Sequence, residues 1–279
     1  EARGLMDRRG RVNVAGYLLF AEHPQARLPH AVVRVLRYQG SERGAGARQK
    51  LLHDVRCEGP IPATLDTAIE EVRRQQPTRR ALGPGTRFQP RPLIPEDAWV
   101  EGVVNAVIHR SYSLGGDHIR VEVFDDRIEI ESPGRFPGLV GPRDPRHIAR
   151  FARNPRIARV CADLGFGQEL GEGIRRMFEE MRRAGLADPV YVQTSASVRL
   201  TLSAIPVDRD VEARLPSRSR EILEILREAG ELGTGQIAEA LAMARPAVIR
   251  RLNALKEAGL VEWVGKSPKD PRAVWRIRW

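Results

Sequence analysis

The last 63 residues of this 279-residue chain follow a pattern that few folds share. Three segments, at 219–229, 234–242 and 245–258, have apolar residues spaced three and four apart, and two strand-like segments follow at 260–264 and 273–278. That spacing predicts amphipathic helices, with Thr234 as the N-cap of the second, and the charged run Lys266 to Arg272 predicts a loop between the strands. Three helices followed by a β-hairpin are the element order of a winged helix-turn-helix.

The third predicted helix carries the side chains that would contact a partner. Val248, Leu252 and Leu255 form an apolar stripe, which leaves Arg250 and Asn253 on the opposite face. In a DNA major groove, arginine bonds guanine bidentately and asparagine bonds adenine. We therefore expect double-stranded DNA as the partner, although a winged helix used only for protein contacts is an alternative. The predicted DNA-binding residues are Arg245, Arg250, Arg251, Asn253, Lys256, Lys266, Lys269 and Arg272.

Charge is concentrated at the same end of the chain. Its formal net charge is +10, and residues 245–279 hold nine Lys or Arg against three acidic residues, or +6 of that excess. No stretch approaches ~20 apolar residues and no signal peptide is visible, so we expect no membrane contact and a cytoplasmic, nucleoid-associated location. The two cysteines, Cys57 and Cys161, lie too far apart for a metal motif and are expected to be reduced core residues.

Upstream of residue 207, the pattern mixes helices and strands. A helix at 97–110, strands at 119–124 and 128–131, helices at 155–164 and 174–184, and a hairpin at 190–203 predict an α+β sandwich with an antiparallel or mixed sheet. Proline and glycine are frequent at 83–95, which predicts a linker. We expect domains at 1–82, 96–206 and 217–279, joined by linkers at 83–95 and 207–216.

One helix of the middle domain carries a candidate phosphate site. Glu101, Asn105 and His109 recur every four residues, so they share one helix face. A carboxylate and an amide one turn apart can hold hydrated Mg²⁺, and glycine-rich loops can offer backbone N–H groups to phosphates. The two candidate loops contain Gly134 and Gly138, and Gly171 and Gly173.

Three stretches of this domain resemble a known family. They are the run of 13 residues from Glu101 to Ser113, the run from Phe124 to Gly134, and Gly171-Glu-Gly-Ile-Arg-Arg-Met. Over about residues 95–205 the chain is similar to the RecG-related C-terminal ATPase-like domain of bacterial and archaeal predicted regulators, a divergent relative of the GHKL ATPases. The resemblance implies ATP with Mg²⁺ as cofactor, Glu101 as the water-polarising catalytic carboxylate, Asn105 as the Mg²⁺ ligand, and Gly171 and Gly173 in the phosphate lid.

The chain departs from that wider superfamily at one motif. Where an Asp-x-Gly-x-Gly motif would read adenine, the sequence has Ser132-Pro-Gly-Arg-Phe. No Gly-x-x-x-x-Gly-Lys-Ser/Thr motif is present either, so the helicase motor is missing. A domain whose Asn105 and His109 only brace neighbouring loops is therefore an alternative.

Residues 1–82 resemble the tail of a Schlafen/AlbA-like α/β domain, on the run from Asn13 to Gln25. The sequence as a whole predicts a DNA-binding transcriptional regulator whose middle domain senses a ligand or forms a homodimer that positions two winged helices. An ATP-dependent enzyme acting on DNA and an interaction scaffold with a dead nucleotide pocket are the alternatives.

Overall fold

A computed structural model describes residues 3–46, 49–82, 87–136, 151–167, 172–265, 270 and 272–277. The chain divides into two compact units, Glu1–Ile205 and Pro206–Trp279, called unit 1 and unit 2 below. The fold is mixed α+β, as the sequence predicts, and it ends in a helix-turn-helix region.

Unit 1 contains both helices and strands. Its helices are α1 (Val14–Phe20), α2 (Ile61–Gln75), α3 (Glu96–His109), α4 (Pro155–Asp163) and α5 (Gly173–Arg183), with a short 3-10 helix at Pro24–Ala26. Its strands are β1 (Val33–Tyr38), β2 (Leu51–Cys57), β3 (Thr78–Leu82), β4 (Phe88–Pro92), β5 (Ile119–Val123), β6 (Arg127–Pro133), β7 (Val190–Gln193) and β8 (Ser197–Ser203).

A six-stranded mixed sheet forms the centre of unit 1, in the order β2-β1-β5-β6-β8-β7. β1 and β5 pair in parallel, and the other neighbours pair antiparallel. Because side chains alternate along a strand, Val35, Val121 and Ile130 are buried on one face, which α2 and α3 cover. This helix layer on a sheet layer is the sandwich that the sequence predicts.

The other sheet face carries charged side chains that neutralise one another. Glu122, Glu129 and Glu131 are buried there among arginines. Arg199 Nη2 lies 3.0 Å from Glu131 Oε2, and Arg127 Nε lies 2.7 Å from Glu129 Oε1. The arginines of this face are therefore largely occupied by carboxylates.

The boundary of unit 1 differs from the predicted domain division. β1 and β2, from the predicted first domain, share one sheet with β5 from the predicted second. Within the predicted linker at 83–95, residues 88–92 form β4, and Ile94 is buried. The pattern at 83–95 suggested a linker because proline is frequent there, yet proline is compatible with an edge strand.

Helix α3 is buried on nearly every side, because it lies between the sheet and α5. Pro95 precedes the first turn of α3. The negative charges of Glu96 and Asp97 in that turn interact favourably with the positive end of the helix dipole. A Cβ at Gly102 would lie 2.7 Å from Ile130 Cδ1 and 2.8 Å from Leu200 Cδ2, so glycine lets the helix approach the sheet closely. The site residues Glu101, Asn105 and His109 are thereby held on a rigid element.

Unit 2 has the element order of a winged helix. Its elements are α6 (Arg209–Arg214), α7 (Ser217–Ala229), β9 (Glu231–Leu232), α8 (Thr234–Ala240), α9 (Arg245–Glu257), β10 (Val261–Val264) and β11 (Val274–Ile277). The strands form a sheet in the order β10-β11-β9, and Leu226, Ile237 and Val248 are fully buried beneath it. The short helix α6 lies in the predicted linker at 207–216.

The remaining expectations concern membrane segments and cysteines. No helix of the described residues is both long and apolar enough to cross a lipid bilayer. Cys57 and Cys161 are free and buried, and burial raises the pKa of each thiol to about 11. Their thiols are therefore protonated packing groups, as the sequence predicts.

Candidate functional sites

Helix α9 buries one face and exposes the other. Val248, Leu252 and Leu255 are buried in unit 2, as their spacing predicts. Arg250 and Asn253 lie on the exposed face, which follows from the helix period of 3.6 residues. The polar side chains on this face are thus available to an external partner.

The predicted DNA-binding residues have different positions in the structure. Arg251 is half-buried, and Lys266 and Lys269 lie outside the described residues. Arg245, Arg250, Asn253, Lys256 and Arg272 are exposed. No carboxylate among the described residues forms an ion pair with the basic residues of α9. Its cationic charge is therefore not neutralised within the described part of unit 2.

The local structure fixes how α9 is presented. Pro246 is its second residue, where a missing N–H costs little, and Ala244 is the N-cap. The prediction that Thr234 caps α8 is wrong, because Gly233 occupies that position and donates its N–H to Gln236 Oε1 at 2.8 Å. Thr234 Oγ1 instead accepts a 3.1 Å hydrogen bond from Trp275 Nε1 of β11. This bond links the start of α8 to the hairpin.

In unit 1, the structure brings Glu101 and Asn105 together, as their spacing predicts. Asn105 Nδ2 donates to Glu101 Oε1 at 2.9 Å. Arg176 Nη2 of α5 donates to Glu101 Oε2 at 2.9 Å in an ion pair. The Glu101 side chain is only 6% exposed. Both of its carboxylate oxygens are therefore occupied by side-chain donors.

Gly173, predicted in the phosphate lid, is the first residue of α5 and lies against Glu101. A Cβ at Gly173 would lie 1.8 Å from Glu101 Oε1 and 2.3 Å from its carboxyl carbon. No side chain larger than hydrogen fits there without displacing the carboxylate. Glycine at this position thus allows α5 to pack its first turn onto Glu101.

His109 lies at the end of α3, half-buried and with no carboxylate partner in the part of the chain that the structure describes. Arg153 donates its backbone N–H to His109 Nδ1 at 3.4 Å, and its Nε to the His109 carbonyl at 2.9 Å. Burial, and next the positive charge of Arg153, lower the pKa of His109 to about 4. The imidazole is therefore neutral near pH 7.

The glycine loops are only partly described. Gly134 follows β6 with φ +122°, and a Cβ there would lie 3.0 Å from Ser111 Cβ. Its N–H donates to the carbonyl of Ala196 at 2.8 Å, so that group is used within unit 1. Gly138 and Gly171 lie outside the described residues.

The residues present fit the Mg²⁺-ligand position of a Mg²⁺–ATP site but not the position of its water-polarising carboxylate. Asn105 is half-buried and uses its amide N–H in the bond to Glu101, so its carbonyl oxygen fits a Mg²⁺ ligand. Glu101 does not fit the water-polarising role, because Asn105 and Arg176 each donate to one of its oxygens and Gly173 packs directly against the carboxylate. Among the described residues, no three His, Cys, Asp or Glu side chains converge as a metal site.

Three residues that sequence reasoning missed organise this region. Arg176 pairs with Glu101, Arg153 holds His109, and Asn154 Nδ2 donates at 2.8 Å to the carbonyls of both Ile108 and Arg110. Asn154 precedes Pro155 at the start of α4, which is a recognisable helix-start signal. Nothing in the sequence pattern links Arg176 to Glu101.

Two family models match parts of the chain. One, described as the C-terminal part of a putative ATP-dependent DNA helicase RecG, matches residues 116–202. The other, described as a bacterial regulatory protein of the ArsR family, matches residues 216–262. The chain therefore holds a RecG-C-terminal-like, ATPase-type domain and an ArsR-type helix-turn-helix, the latter a mark of DNA-binding regulators. The first match begins after α3, so Glu101, Asn105 and His109 lie outside it.

Among solved structures, the chain is similar to the DIP2311 protein from Corynebacterium diphtheriae. The two share 23% sequence identity with a TM-score of 0.60, over 99% of this chain and 56% of that one. This likeness extends to the fold, and this chain spans little more than half the length of the other. No curated protein matches the chain. The comparisons do not support the predicted Schlafen/AlbA-like assignment of residues 1–82.

Proposed function

We propose that the chain is a transcriptional regulator that binds double-stranded DNA through α9, acting in the cytoplasm at the nucleoid. The observation that carries this proposal is the exposed face of α9, where Arg250 and Asn253 stand beside cations that no described carboxylate neutralises. Arginine and asparagine are the side chains that read guanine and adenine edges in a major groove. The match to an ArsR-family regulator over residues 216–262 supports the same function.

The test is duplex binding by the intact chain. A DNA site is first selected from a random-sequence duplex pool, and binding is then measured by fluorescence anisotropy at 100 mM KCl. We expect Arg250→Ala to weaken binding to the selected site by roughly 5- to 150-fold, which corresponds to about 1–3 kcal/mol for one base-edge contact.

The matched control is Arg218→Ala on α7, which removes the same charge from an exposed residue paired with Glu221. This control should change binding less than about twofold, because Arg218 lies on α7 and not on the proposed DNA-reading helix α9. Absence of duplex binding by the wild-type chain, or equal losses in both variants, would contradict the proposal.

For residues 96–206, we propose a divergent ATPase-like domain that acts as a sensor or as a homodimer contact and does not hydrolyse ATP. The Glu101–Arg176 ion pair supports this view, because it occupies the carboxylate that would have to polarise water. A homodimer would present two winged helices to adjacent half-sites about one helical turn of DNA, roughly 34 Å, apart. Sedimentation of the chain with and without a two-half-site duplex tests the pairing.

Nucleotide binding without turnover is a second candidate, favoured by the Asn105 carbonyl. Calorimetric titration with ATP and Mg²⁺, repeated on Asn105→Ala, tests it. Heat that disappears in the variant supports a ligand-sensing domain. No heat in either protein supports an interaction domain that binds no nucleotide, and Mg²⁺-dependent hydrolysis would contradict the assignment of Glu101 as a structural residue.

A further inference from the structure

The β3–β4 hairpin of unit 1 is an unusual surface, because arginine dominates it and no carboxylate of the described residues neutralises it. Arg79 and Arg80 lie on β3, Arg91 lies on β4, and Arg87 immediately precedes β4. We call these two strands and four arginines the arginine ribbon. Residues 77–95 contain no Asp or Glu. The ribbon therefore adds four positive charges to one short segment of unit 1.

The four arginines cluster on one hairpin and lack, among the described residues, the acidic partners that many arginines of unit 1 have. Several exposed arginines elsewhere in unit 1 have acidic partners at hydrogen-bond distance, such as Arg73 with Glu96 at 2.6 Å and Arg182 with Asp188 at 2.6 Å. All four ribbon arginines are exposed, and none pairs with a carboxylate of the described residues. Their charge is thus available to a ligand outside the chain.

The register of the ribbon increases this charge density. Arg79 lies directly opposite Arg91, so two cations share one face, while Arg80 lies opposite Pro90 and points to the other. Like charges directly opposite each other destabilise an antiparallel pair. The Arg79–Arg91 pair therefore does not contribute to the stability of the hairpin. A polyanion bound to both arginines would relieve their mutual repulsion.

The ribbon is fixed at its base but uncovered along its length. The buried Gln76 donates its Nε2 to the carbonyl of Ile94 at 2.6 Å, and Leu93 N–H donates to the carbonyl of Pro77 at 3.0 Å. Beyond this base, the two strands form a sheet of their own, and every residue of β4 is exposed. Phe88 is 64% exposed, which is unusual for a large aromatic residue.

Strand addition from another chain is unfavourable at the β4 edge of the ribbon. β4 contains Pro90 and Pro92, which lack the N–H groups that a further strand would need. A cationic, aromatic-containing and unpaired two-stranded ribbon has instead the chemistry that contacts nucleic-acid phosphates.

We propose that the arginine ribbon is a second DNA-binding site, outside the winged helix, which contacts the phosphate backbone of duplex DNA. This inference rests on the proposed function, because the same chain must bind duplex DNA. The contacts would be independent of base sequence and would add to the affinity that α9 supplies.

The test is the salt dependence of duplex binding by the full chain. The variant Arg79→Thr/Arg91→Thr removes the cross-strand pair and substitutes a residue that favours strands. Anisotropy is measured with a 30-bp duplex from 50 to 300 mM KCl. The slope of log K against log salt is negative, and each lost phosphate contact reduces its magnitude by about 0.9, so we expect the magnitude to decrease by about 2. That corresponds to roughly 60-fold weaker binding at 0.1 M if both proteins bind equally at 1 M salt.

Two further variants keep this test decisive. Arg79→Lys/Arg91→Lys retains the charge and should keep the wild-type slope, because phosphate contacts need only a cation. Arg8→Thr/Arg9→Thr removes the same charge from two exposed arginines elsewhere in unit 1 and should change the slope by much less. Circular dichroism confirms that each variant is folded.

Each outcome separates the two proposals. If wild-type and Arg79→Thr/Arg91→Thr proteins bind duplex DNA with the same slope while Arg250→Ala weakens binding, only the ribbon proposal is overturned. The same follows if the Arg8→Thr/Arg9→Thr control reduces the magnitude of the slope as much as the ribbon variant does. Absence of duplex binding by the wild-type chain overturns both proposals.

Discussion

Substitution of Gly173 by alanine tests whether Glu101 is an anchor for α5 or a free catalytic group. Gly173 begins α5, and an added Cβ would lie 1.8 Å from Glu101 Oε1. An ordinary van der Waals contact needs about 3.4 Å, so the carboxylate would have to move by roughly 1.5 Å. That displacement would break its hydrogen bonds to Asn105 and Arg176, each 2.9 Å long.

The cost follows from those two bonds. A hydrogen bond to a charged group contributes about 1.5–3 kcal/mol when buried, and the partly exposed Arg176 argues for the lower value. The replacement of glycine by alanine within a helix would by itself stabilise the folded protein by up to about 1 kcal/mol. We therefore expect Gly173→Ala to lower the free energy of unfolding of unit 1 by about 2 kcal/mol, or Tm by roughly 4–8 °C.

A double-mutant cycle with Glu101→Ala isolates the contact. Thermal unfolding is followed by far-ultraviolet circular dichroism for the wild type, both single variants and the double variant. Without the carboxylate, the new methyl group meets no obstacle, so Gly173→Ala should be neutral or slightly stabilising in the Glu101→Ala background. The coupling energy should then be about 2–3 kcal/mol. A Gly173→Ala protein as stable as the wild type, or equal losses in both backgrounds, would refute the anchoring role.

Two other predictions concern His109 and the core of unit 2. The pKa of His109 is 6.5 in the unfolded chain and about 4 in the folded protein. The contribution of the neutral imidazole to folding stability is therefore fully present above pH 6.5. It is lost as the pH falls toward 4, which lowers the free energy of unfolding by up to about 3 kcal/mol. His109→Gln should show a correspondingly smaller loss of Tm between pH 7.5 and 5, and identical pH profiles would contradict this. Leu252→Ala, at a fully buried position, should cost unit 2 about 2–5 kcal/mol and weaken duplex binding, measured by tryptophan fluorescence and anisotropy. Ile249→Ala, on the exposed side of α9, is the folding control, and a loss as large as that of Leu252→Ala would refute the assigned faces.

The local elements of this fold were predictable because each leaves a periodic trace in the sequence. Helices α3 and α9 begin within one residue of their predicted starts, and the stripe of Val248, Leu252 and Leu255 is buried as expected. Strand β2 was missed although its burial alternates, because Leu52 on its exposed side and His53 on its inner side break the apolar and polar alternation in the sequence. The residues of β2 form a strand because they pair with the neighbouring strand β1, and their own composition does not indicate it.

The arrangement of unit 1 could not be predicted in the same way. The parallel pairing of β1 with β5 joins Val33 to Ile119 across a long intervening chain. Parallel strands need a crossover connection, and no local signal identifies which strands will meet. The proline-rich stretch within that connection suggested a domain boundary, so residues of one sheet were assigned to two domains.

The role of Glu101 shows why motif spacing alone does not determine chemistry. The spacing Glu101, Asn105, His109 correctly places three polar side chains on α3, and the 2.9 Å Asn105–Glu101 bond follows from it. What the carboxylate can do depends on Arg176, a residue 75 positions away that spacing does not relate to Glu101. The guanidinium donates to one carboxylate oxygen while Asn105 donates to the other, and Gly173 packs against the same group, which leaves little room for a water molecule. The same helix face that would serve a water-activating site is thereby used to fix α5 in place, so in this chain the motif predicts the position of these groups but not their reactivity.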